Sequence, residues 1–383
     1  MQELLLQALL AYRMKRTFVY YNYTWRDDGS TISYYNGKPI PSTIPLSALL
    51  QGPILGTPSV IDPSAAHPFA VTEDYYYRVC PENERKYIRT EEVSSLLGTT
   101  STAGNMIEKW VEVFGELPAK CIEIPSDAPS NFDIFIFGDA SRLLDVWPIF
   151  SKSPILQEFA WSPLVELAFD QNREVFAPTY VYVPPLGTLP MALSGSTAVS
   201  PSAARYAPIP GLLAIHLRRG DFSEHCTNLA RWGSSYVGHN EFPELPDKFH
   251  YPPDTNDDDR IALQRPHCYP SIQEVVERAV EERAAQRAIG RPELVDVYFM
   301  TNGPKEWVDE LTEAVRATGG WRTVASSRDL EVNWEQKFVK QAVDMLIGQR
   351  AQVFVGNGYS SMSGLVTMFR MANGIPPGQN RLL

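Results

Sequence analysis

No stretch of this chain is apolar for long enough to cross a bilayer as a helix, which takes about 20 residues, and the opening "MQELLLQALLAYRMKR" lacks the layout of a signal peptide. Excess positive charge is missing too. Lys and Arg number 34 against 45 Asp and Glu, a formal charge of -11, which excludes a nucleic-acid footprint spread over the surface. A site for a polyanion must therefore be a local cluster of arginines in an acidic molecule, and that suits a small phosphorylated ligand better than a duplex. Cysteine is scarce. Four in 383 residues are compatible with free thiols or with bridges. Cys226 and Cys268 bracket a polar, irregular segment where a disulfide would contribute about 3 to 4 kcal/mol. The sequon Asn22-Tyr23-Thr24 adds a little weight to a lumenal setting.

What is present divides into two halves. Leu4, Leu5, Ala8 and Leu9, with Gln2, Glu3 and Gln7 between them, predict an amphipathic helix over 2–14, followed by a β-rich run from Thr17 to Trp25. From Gly29 to about Pro68 the text is rich in Pro, Gly and Ser and reads as loops. Helices are expected near 105–115 and 154–172, with strands near 120–124 and 133–138. The Pro-, Ser- and Gly-dense stretch 184–211 is the expected interdomain connection. Beyond it strands and helices alternate. Strands are expected at 211–217, 294–300, 321–324 and 352–356, helices at 271–289, 304–317, 333–349 and 361–373, and a polar loop from 218 to about 270. That alternation means a parallel sheet with right-handed crossovers, a doubly wound α/β domain.

Three of these strand ends carry polar punctuation: "HLRRGDF", "MTNGP" and "GNGYSSMSG". Each alone is what stops a strand, but parallel strands deliver all three to one edge, where open α/β sheets bind ligands. Arg218 and Arg219 would project there. The stretch "VFVGNGYSSMSGLVTMFR" is a strand, a Gly-rich turn and a helix opening on Ser360, Ser361 and Ser363, whose backbone N–H groups would take a phosphate. Plain N-capping by Ser is the plainer reading of the same residues. Arg218, with its planar fork, would complete a diphosphate clamp.

In order and spacing, "HLRRGDF", "VYFMTNGPKEWVDEL" and "AVDMLIGQRAQVFVGNGYSSMSGLVTMFR" resemble the three peptide motifs of GDP-fucose fucosyltransferases, above all the protein O-fucosyltransferase-like group. The match covers about 210–370, with a weaker one up to Trp25. The resemblance implies a GT-B fold of two facing Rossmann-like α/β domains with parallel sheets. These would be an acceptor-side domain over 1–190, without its first strand and Gly-rich loop, and a nucleotide-sugar domain over 208–383 whose last helix packs back on the first. It also implies an inverting transfer of fucose from GDP-fucose to a hydroxyl of a protein or glycan acceptor, no metal, and a place in the lumen of the secretory pathway. Arg218 would stabilise departing GDP. His216, Arg219 and Asp221 would line the nucleotide site or orient the arginines, and Asp344 would hold base and ribose. Ser360, Ser361, Met362 and Ser363 would wrap the phosphates. Asn302, also expected in the nucleotide site, stands where the family's motif has Asp. Two other readings stand beside this one: a non-catalytic relative that binds GDP or glycan, and a GT-B transferase using another nucleotide sugar.

The remaining signals have plainer explanations. "NDDDR" at 256–260 could mimic an Asp-x-Asp metal site but reads as a solvated acidic loop. His225, His239, His250 and His267 fit no compact zinc spacing, and Arg219-Gly220-Asp221 spells an adhesion tripeptide by chance. Trp232, Tyr236 and Phe242 in the 222–270 insertion are expected to shape an acceptor groove. Asp221 or Glu224 is a candidate base for the acceptor hydroxyl.

Overall fold

The computed structural model describes residues 1–180 and 200–383 apart from Asp27, Asn36, Gly37, His67, Thr99 and Asp221. The chain separates into two compact units, one built mainly from Met1–Ile136 and Ser141–Val165, the other mainly from Ala203–Leu383.

The C-terminal unit is a five-stranded sheet. In chain order its elements are β1 (Ile209–Leu217), α1 (Phe222–Arg231), α2 (Asp257–Cys268), α3 (Ile272–Ala288), β2 (Asp296–Thr301), α4 (Lys305–Ala317), β3 (Thr323–Ser326), α5 (Lys340–Arg350), β4 (Ala351–Gly356), α6 (Ser361–Ala372) and β5 (Asn380–Leu382). All strand pairs are parallel, in the order β3-β2-β1-β4-β5. The direction of winding reverses between β1 and β4, and the carboxyl edge of such a reversal is where open α/β sheets place a ligand. Ile215 on β1 lies opposite Phe299 on β2 and Val355 on β4, so the three polar strand ends do reach one edge.

Strand alternation decides which helices each β1 residue meets. Leu213, Ile215 and Leu217 pack with Val275 and Ala279 of α3 and Leu311 and Val315 of α4 in one core. The even-numbered residues point to the other face, where His216 meets Ser363 of α6. Helix α3 starts on a full capping box, Ser271 with Glu274.

The polar loop expected over 218–270 is largely helical instead. Phe222, Cys226, Leu229 and Ala230 form the buried stripe of α1. Asn256 caps α2, and the three acids 257–259 fill its first turn, where they face the positive end of the helix dipole rather than a solvated loop. Cys226 bonds Cys268 across the two helices. Strand β5 was not expected. It is held by Arg381, whose guanidinium meets Asp247 at 2.7 and 2.9 Å. Residues 184–199 of the expected connection lie outside the described residues, and the stretch after them already forms the short helix Pro201–Arg205 and the start of β1.

In the N-terminal unit the first helix, Gln2–Arg13, buries Leu4, Leu5, Leu6, Ala8, Leu9 and Leu10. The strand Phe18–Tyr20 pairs in parallel with Ala70–Thr72, and Arg85–Tyr87 with Cys121–Glu123. The expected loops of 29–68 contain the hairpin Ile32–Tyr35 with Lys38–Pro41, and the expected strand near 133–138 is a 3₁₀ helix, Ile134–Gly138. The single helix expected over 154–172 is interrupted by the strand Ala160–Trp161. A second disulfide, Cys80–Cys121, joins the end of a short exposed helix to a strand. All four cysteines are thus paired, and no helix among the described residues is long and apolar enough to cross a membrane.

Candidate nucleotide site at the β1–β4 crevice

The sequence Gly-Asn-Gly-Tyr-Ser-Ser-Met-Ser after β4 folds into its turn for packing reasons. A Cβ at Gly356 would lie 3.0 Å from Ser363, and one at Gly358 would enter the Tyr236 ring at 2.2 Å. Asn357 is fully buried. Its Nδ2 donates to the Cys268 carbonyl at 2.7 Å, and its Oδ1 accepts from the Tyr359 N–H at 3.0 Å. From the opposite side the buried Asn240 donates to the carbonyls of Gly358 at 2.9 Å and Ser360 at 3.1 Å. The turn's carbonyls are thereby held by the Asn240 side chain of the 222–270 insertion, while the first N–H groups of α6 have no partner within the helix, as at any helix start.

Ser360 enters α6 in an extended conformation and its hydroxyl makes no capping bond, so plain N-capping does not explain this serine. Ser363 is fully buried. Its hydroxyl accepts from the Asn357 N–H at 2.9 Å and lies 2.7 Å from His216 Nδ1, which makes it a brace of the turn. Ser361 is exposed and Met362 partly so. These two begin the helix.

The two arginines after β1 part company. Arg218 is half-buried, with its guanidinium 4.8 Å from the Phe222 ring. Arg219 turns under the other face of the sheet, 3.9 Å from Trp307 and 4.3 Å from Tyr269. Its backbone is clamped by Asn302, whose Oδ1 accepts from the Arg219 N–H at 2.8 Å and whose Nδ2 donates to the Arg219 carbonyl at 3.1 Å. A carboxylate could not make the second bond, so the amide at this position braces the β1 and β2 ends together. Asp344 lies in the core, where it accepts from Tyr298 Oη at 2.6 Å and from Ser327 Oγ at 2.9 Å. Asp221 lies outside the described residues. Glu224 sits in the first turn of α1. Tyr236 and Phe242 are buried, so of the three aromatic residues expected to line a groove only Trp232 is exposed. No group of three metal-ligating side chains occurs among the described residues.

Burial, with the charge of Arg218 second, lowers His216 to about 3, and burial does the same to His239. Both imidazoles are neutral at pH 7. On unfolding each returns to the ordinary value of 6.5 and takes up a proton below it, so their contribution is complete above about 6.5 and is lost as pH falls. Burial raises Asp344 from 3.8 to about 6; its contribution has the opposite sign, present at low pH and lost as pH rises through about 6. The urea midpoint is therefore expected to be lower at pH 5 than at pH 7. His216→Asn should shrink that difference and Asp344→Asn enlarge it, and an unchanged profile in both variants would refute the assignment.

Neither a protein-family profile nor a curated protein matches this chain. Solved structures do. A crystal structure of POFUT1 in complex with GDP-fucose matches with a TM-score of 0.52 and 15% sequence identity, covering 96% of this chain and 90% of that one. A structure of POFUT1 in complex with GDP matches with a TM-score of 0.49 and 17% identity over 96% and 89% of the two chains. The first match shows a shared fold, the mixed α/β architecture with parallel sheets that the sequence motifs imply.

Proposed function

We propose that this chain is a GDP-fucose-dependent glycosyltransferase that passes fucose, with inversion and without metal, to a hydroxyl of a protein or glycan. The observation that carries the reading is that the adjacent parallel strands β1 and β4 end at the same sheet edge, β1 leading into Arg218 and β4 into the start of α6. The POFUT1 structure with which the chain shares its fold holds GDP-fucose.

The reaction is a single displacement. An acceptor oxygen bonds to the anomeric carbon of fucose from the face opposite GDP, the bond from that carbon to the β-phosphate oxygen breaks, and its electron pair stays on GDP. Negative charge grows on the leaving diphosphate, and in this reading Arg218 and the N–H groups of the first turn of α6 meet it. Such preorganised charge acts in the transition state more than in the ground state. The acceptor proton goes to a base, Asp221 or Glu224. An Asp221→Asn variant with full turnover would leave that role to Glu224. The exposed Asn22 of the sequon and two disulfides support a lumenal setting.

The test is calorimetric titration of the chain with GDP, GDP-fucose and UDP in the presence of a chelator, followed by an assay for fucose release and transfer. Micromolar binding of GDP over UDP is expected. Tight GDP-fucose binding without any turnover would favour the non-catalytic reading, preference for UDP would favour another nucleotide sugar, and no binding by the folded chain would overturn the site itself.

A further inference from the structure

On the α3–α4 side of the sheet, away from His216 and Ser363, a cavity of about 580 Å³ opens between Arg219, Arg265, Tyr269, Ser271, Gln273 and Trp307. Its size is that of a small-ligand site. Arg219, only 2% exposed, forms part of its wall. The Nη2 of this guanidinium donates to the Pro270 carbonyl. Among the described residues Nε and Nη1 have no hydrogen-bond partner.

A cation removed from water needs a counter-charge or a full set of acceptors, and Arg219 has two aromatic rings, the Tyr269 hydroxyl, one carbonyl and the more distant charge of Glu274. Burial lowers it to about 10 against the opposing pull of Tyr269, with the charge of Arg265 a smaller lowering influence, which still leaves it charged at pH 7. Two like charges therefore border one cavity. The carboxylate of Glu274, in the first turn of α3, already accepts from the Ser271 N–H at 2.6 Å and the Ser271 hydroxyl at 2.8 Å as part of the helix cap. Glu310 lies exposed on the cavity's rim.

We propose that this cavity binds the oxyanion group, carboxylate or phosphate, of a small ligand between Arg219 and Arg265, with the side-chain amide of Gln273 supplying a further hydrogen bond. This site is separate from the β1–β4 crevice and stands or falls independently of the transferase reading.

Trp307 lies against Arg219 at 3.9 Å and reports on it. The parent chain would be titrated at constant ionic strength with sodium phosphate and with sodium acetate, and the Trp307 signal taken as the fluorescence change that Trp307→Phe removes. Saturation by at least one anion at millimolar concentration is expected, and the anion that saturates first identifies the ligand's group. Arg265→Glu, an exposed change, should weaken binding about ten-fold or more without altering the melting temperature, and Glu310→Gln should tighten it about two-fold. Arg218→Ala should leave the titration unchanged. The proposal is overturned if neither anion saturates by about 50 mM, if Arg265→Glu binds as the parent does, or if Arg218→Ala abolishes the response, which would place the anion in the crevice.

Discussion

Arg218→Ala lowers GDP affinity by about 100-fold while the melting temperature stays within a few degrees of the parent. The first half of this expectation follows from the type of contact. A guanidinium making paired charge-assisted hydrogen bonds to a diphosphate contributes about 3 kcal/mol, close to two powers of ten in affinity. The second half follows from position, since Arg218 is half-buried with its guanidinium 4.8 Å from the Phe222 ring. Arg218→Lys keeps the charge and loses the fork, and should recover about ten-fold of the loss. Fucose transfer should fall further than binding in both variants, because charge on the diphosphate is largest in the transition state. A spectroscopic signature separates this from simple misfolding. The charge of Arg218 helps to hold His216 low, so in the folded Arg218→Ala protein the His216 ring resonance should begin to titrate at a higher pH. Unchanged GDP affinity in that variant would remove Arg218 from the site.

The distribution of side chains at the end of β1 was readable in advance only in part. The apolar run Leu212–Ile215 and the alternation of strands and helices after it are properties of local sequence, and the sheet follows from them. The separation of Arg218 from Arg219 follows from the same two-residue alternation that sends His216 to α6 and Leu217 to α3 and α4. Read as a pair of phosphate ligands, the arginines hid that parity. Helix α1 carried its buried stripe in plain sight at Phe222, Cys226, Leu229 and Ala230, whereas α2 buries only Gln264 and Cys268. For α2 the one usable signal was its start, Asn256 followed by three acids. The Cys226–Cys268 bridge could be guessed from the polar segment between its ends, but Cys80 and Cys121 lie in unremarked local sequence and meet only through the parallel pairing of Arg85–Tyr87 with Cys121–Glu123. Strand β5 depends on Arg381 finding Asp247 far along the chain, and no local rule gives such a partner. Asn240 is the clearest omission from the site. Nothing in "GHNE" marks it as the side chain that would hold the carbonyls of Gly358 and Ser360.

The turn after β4 depends on the insertion that packs against it. Gly358→Ala is expected to destabilise the protein by about 3 kcal/mol and to weaken GDP binding by more than its loss of stability explains. Glycine at this position is required by close approach, because the added methyl would lie 2.2 Å from one Tyr236 ring carbon and 2.3 Å from the next. Tyr236 cannot simply turn away: it is 1% exposed and its hydroxyl donates to the Leu383 carbonyl at 2.9 Å. The backbone on either side is fixed as well, with the Gly358 carbonyl accepting from the Val237 N–H at 2.9 Å and from Asn240 Nδ2 at 2.9 Å. Relief must therefore come from moving the turn, and the turn leads into the first residues of α6. Trimming the ring tests this directly. Tyr236→Leu alone should cost stability through the cavity it leaves, yet the Gly358→Ala, Tyr236→Leu double variant should be more stable than the sum of the two single losses and should regain GDP affinity relative to Gly358→Ala. The coupling energy from such a cycle is expected to exceed about 1 kcal/mol in the favourable direction. Strictly additive losses would mean that the methyl and the ring do not collide, and that the affinity of the crevice does not depend on how the insertion holds the turn.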